Sequence, residues 1–124
     1  MSINPFTKII TQEKIAKEFG FYWENLDQLI EQIKSECDEI KEAWQNKEAV
    51  HLKEEVGDVI NAVISLSIFC GLDPEQTLSE STEKFQKRYE AVVRLANQAG
   101  YTTLREQPLE VLMHFWNKAK QEVG

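Results

Sequence analysis

Two short acidic runs, ECDE and EVGD, set carboxylates three residues apart at Glu36 and Glu39 and again at Glu55 and Asp58. Residues three apart in a helix are neighbours on its surface. Four converging carboxylates repel one another unless a cation sits among them. Hard divalent cations bind oxygen ligands, and Mg²⁺ keeps several waters and shares substrate phosphates. A lone E-x-x-E on a charged helix is usually a solvated face, so the weight falls on whether the two pairs meet. A positive counterpart lies in EKFQKRYEAV, where Lys84 and Arg88 are four apart and Lys87 adjoins them. Arg offers phosphate a planar fork and Lys a point charge; the same residues also read as a basic face offsetting Glu80, Glu83 and Glu90. In WNKAK, Trp116 and Lys120 are four apart. That pair suits stacking on a base and touching a phosphate, and equally suits a core Trp beside a Lys whose stem lies along apolar surface.

The elements that must position these groups read almost entirely as helix, with no convincing strand. Asn4-Pro5 opens the first, since Pro is favoured at the first helical position; it runs to Gly20, with a break expected near Thr11. The second follows Trp23, with apolar residues at helical spacing from Leu26 through Leu29, Ile33, Cys37 and Ile40 to Trp44. A polar turn from Gln45 to Glu48 leads into the third, which carries Leu52, Val56, Val59, Ile60 and Val63 and stops at Gly71. Asp73-Pro74 starts the fourth, with Gln76 at the capping-box position, and it runs to about Gly100. Pro108 opens the last. These elements predict an all-α fold, a four- to five-helix bundle whose central antiparallel hairpin carries the acidic motifs.

On a wheel of about 100° per residue, the apolar stripe of the second helix centres near Leu26, Cys37 and Trp44. Glu36 then lies about 80° and Glu39 about 140° to one side. Glu55 and Asp58 fall at similar offsets, with the same sign, on the third helix. A short turn makes the two helices antiparallel neighbours, so all four acids share one flank of the hairpin. Glu39 and Glu55 are equidistant from Lys47, as are Glu36 and Asp58, which sets those partners level. The small residues Ala43 and Ala62 follow one turn beyond. Gly57 lies off the acidic flank, which points to close helix packing such as a subunit contact.

The 124 residues fit one domain, residues 1–124, with a full core. A net charge of −7 argues against broad electrostatic binding to nucleic acid or anionic membranes, though not against a small basic pocket. The longest apolar run, Val63 to Cys70, is broken by Ser65 and Ser67 and is too short to span a bilayer. The opening MSINPFTKII lacks the layout of a secretory signal. Cys37 and Cys70 form no metal-spaced cluster and read as buried free thiols of a cytoplasmic protein.

E-x-x-E, fifteen intervening residues, then E-x-x-D resembles the MazG-like nucleoside triphosphate pyrophosphohydrolases of the all-α NTP pyrophosphatase superfamily. The likeness continues through FGFYW before the second helix, EKFQKRYEAV in the fourth and WNKAK in the last. This resemblance implies Mg²⁺-dependent hydrolysis, with Mn²⁺ as a substitute, of a nucleoside triphosphate to monophosphate and pyrophosphate. It gives Glu36, Glu39, Glu55 and Asp58 the metals, Lys84 and Arg88 the triphosphate, and Trp116 with Lys120 the nucleotide. Asn61 falls where related members carry a polar site residue, and Trp23 falls near the base pocket. Glu39 is the candidate base, although the sequence does not separate base from ligand. The resemblance also implies self-association as a homodimer or homotetramer.

Three departures bear on substrate choice. Ser35 stands where many members have a first Glu, His51 where a basic residue is common, and Thr82 where Asn is frequent. Two rival readings remain open to the same residues. A ferritin-like di-iron carboxylate protein needs two E-x-x-H motifs. Glu48 to His51 supplies one, but Val111 precedes His114 where the other needs an acid. A helical interaction module that keeps the acids without turnover would show no activity on any nucleoside triphosphate.

Overall fold

The computed structural model describes residues 4–124, so Met1 to Ile3 of the segment read for a signal lie outside the described residues. Five helices and no strand are present among the described residues: α1 (Pro5–Phe19), α2 (Leu26–Gln45), α3 (Ala49–Phe69), α4 (Pro74–Gln98) and α5 (Leu109–Val123). The fold is all-α, as the pattern predicts, and the helix ends fall where the capping chemistry places them. The Asn4 side chain accepts from Phe6 N at 2.8 Å, with Pro5 in the first helical position. Asn25 accepts from Gln28 N at 2.9 Å to open α2. Asp73 accepts from both Glu75 N and Gln76 N at the start of α4. Each bond satisfies an amide that has no partner inside its helix. No break occurs at Thr11. Its hydroxyl donates to Thr7 O at 3.0 Å and is accommodated within a continuous α1. Gly20 ends that helix at φ +97, a left-handed conformation that suits glycine, and sends Phe21 to Trp23 across to α2.

The chain falls into two compact units, the first ending at Thr77 and the second Leu78–Gly124. In the first, α2 and α3 pack as an antiparallel pair and α1 packs on α3. The pair turns at Asn46 to Glu48, with Lys47 at φ 56 and Glu48 N bonded to Ala43 O at 3.0 Å. In the second, Ala91 and Ala96 of α4 and Phe115 and Ala119 of α5 are buried. Tyr101 meets Phe115 edge-on at 5.6 Å, and Arg94 pairs with Glu122 at 2.7 Å. Among the described residues no single helix is long and apolar enough to cross a membrane.

The buried seam of the hairpin does not follow the apolar centroid. On α2 it runs through Leu29, Ile33, Glu36, Ile40 and Ala43, with Leu29 and Ala43 each 1% exposed. Leu26, Cys37 and Trp44, the expected centre, are exposed, Trp44 at 72%. The seam is thus rotated about 70° toward the acids. On α3 it runs through Leu52, Glu55, Val59, Ala62 and Leu66, while Val56, Ile60 and Val63 are exposed. The physical reason is the same on both helices. Each carries more apolar surface than its partner helix can cover, and the uncovered stripe pulls the hydrophobic centroid away from the contact. One expectation falls with it. Cys37 and Cys70 are free but exposed, not buried. Gly57 makes no close approach within this chain, because a Cβ there would meet nothing within 4 Å.

Candidate active site

Placing the seam through Glu36 and Glu55 brings the acidic motifs to the hairpin's interior edge. Heptad spacing carries Leu29, Glu36 and Ala43 along one line of α2, and Glu55 and Ala62 lie on the matching line of α3. The carboxylates meet as two pairs. The Glu39 and Glu55 carboxyls face each other closely enough to share a proton. Glu36 and Asp58 face a common cavity of about 240 Å³, with Asn61 on its wall. Glu55 is only 8% exposed, and His51 lies one turn before it, Nε2 to Oε1 at 3.8 Å.

The electrostatics follow from that crowding. Two carboxyl groups share a hydrogen bond only when a proton lies between them. The Glu55 carboxyl is accordingly raised above its ordinary value of 4.5. The bond with Glu39 contributes most, followed by loss of solvent and repulsion from Glu39 and Asp58; His51 opposes the rise. Glu36 shows a different strain. Its Oε1 accepts from Gln32 Nε2 at 3.1 Å, while Oε2 is buried and finds no hydrogen-bond partner. An orphaned carboxylate oxygen is costly, and a cation in the adjoining cavity would relieve it. The donor set fits Mg²⁺ or Mn²⁺ chemically, being carboxylate oxygen throughout. As the side chains stand, no three of them form a closed metal-binding group among the described residues.

The other predicted residues are placed as follows. Trp23, 40% exposed, lines the acidic cavity. In the second unit, Arg88 donates from Nε to Gly124 O at 2.8 Å and lies 5.6 Å from the centre of the Trp116 ring. Trp116 also packs on Phe85, 5.7 Å between ring centres. Arg88 and Trp116 therefore form one assembly in the second unit. Lys84 and Lys120 are both exposed. His114 of the rival metal reading packs its ring edge-on against Phe115 at 5.1 Å.

Glu13 and Ser65 escaped the sequence reading, yet both line the acidic cavity. Ser65 Oγ donates to Glu13 Oε1 at 2.5 Å. A signal existed. Ser65 interrupts the longest apolar run, and Glu13 shares the inner face of α1 with Phe6, Ile9 and Ala16, all partly buried.

With this geometry established, comparison with known proteins is informative. The profile of the MazG nucleotide pyrophosphohydrolase domain matches residues 24–93, which hold all four acids, Lys84 and Arg88. The chain is 34% identical over 122 residues to the nucleoside triphosphate pyrophosphohydrolase/pyrophosphatase MazG of Thermotoga maritima, covering 95% of this chain and 46% of that protein. It is 27% identical over 114 residues to the nucleoside triphosphate pyrophosphohydrolase of Escherichia coli K12, covering 89% of this chain and 42% of that protein. The chain thus spans less than half the length of either relative.

Proposed function

The chain belongs to the MazG nucleotide pyrophosphohydrolase domain family, and from that footing we propose that it hydrolyses a nucleoside triphosphate to the monophosphate and pyrophosphate. The observation that carries the reading is the buried, partnerless Oε2 of Glu36 beside Asp58, one level from the Glu39–Glu55 pair. A site built only for stability would not leave that oxygen unsatisfied.

Glu36, Glu39, Glu55 and Asp58 would hold the divalent cation, Mg²⁺ or Mn²⁺. Bound there, it supplies a water of lowered pKa and neutralises phosphate charge. Glu39 receives the proton of the attacking water on a carboxylate oxygen. Water attacks the α-phosphorus and pyrophosphate leaves. Asn61, on the cavity wall, donates its amide to a substrate oxygen. The second unit carries Lys84 and Arg88, whose fixed positive charge suits phosphate oxygens. The Gly124 carbonyl and the Trp116 ring orient the Arg88 fork for that task. Trp116 and Lys120, in the same unit, suit a base by stacking and a phosphate by charge.

The test is a panel of standard and damaged nucleoside triphosphates with Mg²⁺, scored for pyrophosphate against orthophosphate. Pyrophosphate from at least one member is expected; no turnover across the panel, with Mn²⁺ also tried, would leave a helical interaction module as the better reading.

The uncovered stripes bear on assembly. Val56, Ile60 and Val63 lie exposed along one face of α3, and Trp44 along α2. Exposed apolar rows of this kind mark protein contacts. We propose that a second copy covers them, giving a dimer or a dimer of dimers, with Gly57 free to admit a neighbouring helix. Light scattering behind size exclusion is expected to show twice or four times the chain mass of 14.4 kDa; a monomer alone would refute it.

A further inference from the structure

The acidic cavity does not end at the acids. It adjoins a second cavity of about 640 Å³ in the first unit, and Glu13, Trp23, Leu29 and Ser65 line both. The larger space is walled by Tyr22, Trp23, Ile68 and Phe69. A volume of several hundred Å³ with aromatic and apolar walls and a few fixed polar groups is the usual form of a small-ligand site. One end is built for charge and the other for a flat apolar ring. A nucleotide whose phosphates lie toward Glu36 and Asp58 would place its base against Trp23.

At the seam between the two spaces stands Glu13. It is partly buried on the inner face of α1, and its Oε1 accepts from the buried Ser65 hydroxyl at 2.5 Å. Among the described residues it makes no ion pair, although Lys14 and Lys17 border the larger cavity. The serine spends its only proton on this bond, so neither oxygen group offers a donor to a ligand. What remains is a positioned acceptor, Oε2, together with the second lone pair of Oε1. Glu13 also lies outside the residues matched by the family profile, 24–93.

We infer that Glu13, oriented by Ser65, reads the nucleobase and selects bases that carry an exocyclic amino group. This rests on the pyrophosphohydrolase reading for the phosphate end and adds the substrate class. The chemistry is one of matching donors to acceptors. A carboxylate accepts well from the amino group of cytosine. Guanine fits better, because its ring N–H and its amino group lie side by side and can engage both carboxylate oxygens. Uracil and thymine present one N–H flanked by two carbonyl oxygens, which face the carboxylate and repel it. A site built around such a bond rejects analogues that lack the donor.

The test uses pairs that differ at the amino position. GTP is set against ITP, which lacks the amino group of guanine, and CTP against UTP. The wild-type protein is expected to favour GTP and CTP by at least about tenfold in kcat/KM, the scale of one hydrogen bond to a charged group. Glu13→Gln is expected to bring both ratios within about threefold of unity, since an amide both donates and accepts. Ser65→Ala should lower them part of the way, and an unchanged helical spectrum must accompany both variants. A wild-type preference for ITP and UTP, or ratios untouched by Glu13→Gln, overturns the inference. Calorimetric binding of guanosine against inosine, with no phosphate or metal, separates the two readings. Preference for guanosine that Glu13→Gln removes supports base selection even if no triphosphate is hydrolysed; equal binding of both nucleosides overturns it even if hydrolysis is brisk.

Discussion

Glu55→Gln is expected to reduce Mg²⁺-dependent pyrophosphate release by at least about a hundredfold, the scale on which one electrostatic stabiliser acts, while leaving the helical spectrum intact. Asp58→Asn should do the same. The more discriminating expectation is that the Gln variant is the more stable protein when metal is chelated. Glu55 is 8% exposed, close enough to Glu39 to share a proton and repelled by Glu39 and Asp58, so its carboxyl lies above the ordinary 4.5. The folded chain therefore binds that proton more tightly than the unfolded chain. Stability from the group is full below 4.5 and is lost as pH rises through its raised folded-state value. Metal-free wild type should accordingly gain thermal stability on acidification from neutral pH toward 4.5. The Gln variant should lack that gain and should start from a higher neutral-pH midpoint. Added Mg²⁺ should raise the wild-type midpoint more than the variant's, because a ligand stabilises in proportion to its binding. A variant with full turnover, or one less stable than wild type in chelator, contradicts the assignment.

Leu29→Ala is expected to cost about 2–5 kcal/mol in unfolding free energy, the range for removing a large buried aliphatic side chain. Among the described residues Leu29 is the largest side chain that is fully buried, 1% exposed. It lines both cavities. Few neighbours can collapse into the space it leaves, since cavities already flank it, and that argues for the upper half of the range. Urea unfolding followed by circular dichroism measures the loss. Destabilisation below about 1 kcal/mol would show that this lining of the site is not part of the core. Turnover should fall along with stability, because Glu36 is carried on the same face of α2 two turns further on.

Much of the fold was legible from capping chemistry. Asn4-Pro5, Asp73-Pro74 and Pro108 mark three helix starts, and Gly20 and Gly71 mark two ends, because those residues alone suit the special backbone at helix termini. The levelling of the acids was legible too. Counting outward from Lys47 pairs Glu39 with Glu55 and Glu36 with Asp58, and antiparallel geometry does the rest. The seam was not legible. Hydrophobicity reports which side chains avoid water, not which are covered within one chain, and Trp44, Ile60 and Val63 are left outside. A wheel centred on them pushes Glu36 outward, whereas the structure buries its Oε2. Glu13 was missed for a related reason. Its importance comes from a contact with Ser65 fifty-two residues away, and no local period encodes that. Division of the chain into two units at Thr77 was equally invisible, since it falls inside the first turn of a continuous α4.

Attack of water on the α-phosphorus at the acidic hairpin can be followed with an isotopic label. Turnover of a nucleoside triphosphate in ¹⁸O-water with Mg²⁺, followed by mass spectrometry of both products, reports which phosphorus water attacked. One ¹⁸O is expected in the nucleoside monophosphate and none in the pyrophosphate, with no label incorporated by Glu55→Gln. Label in the pyrophosphate, or release of nucleoside diphosphate and labelled orthophosphate, would contradict attack at the α-phosphorus.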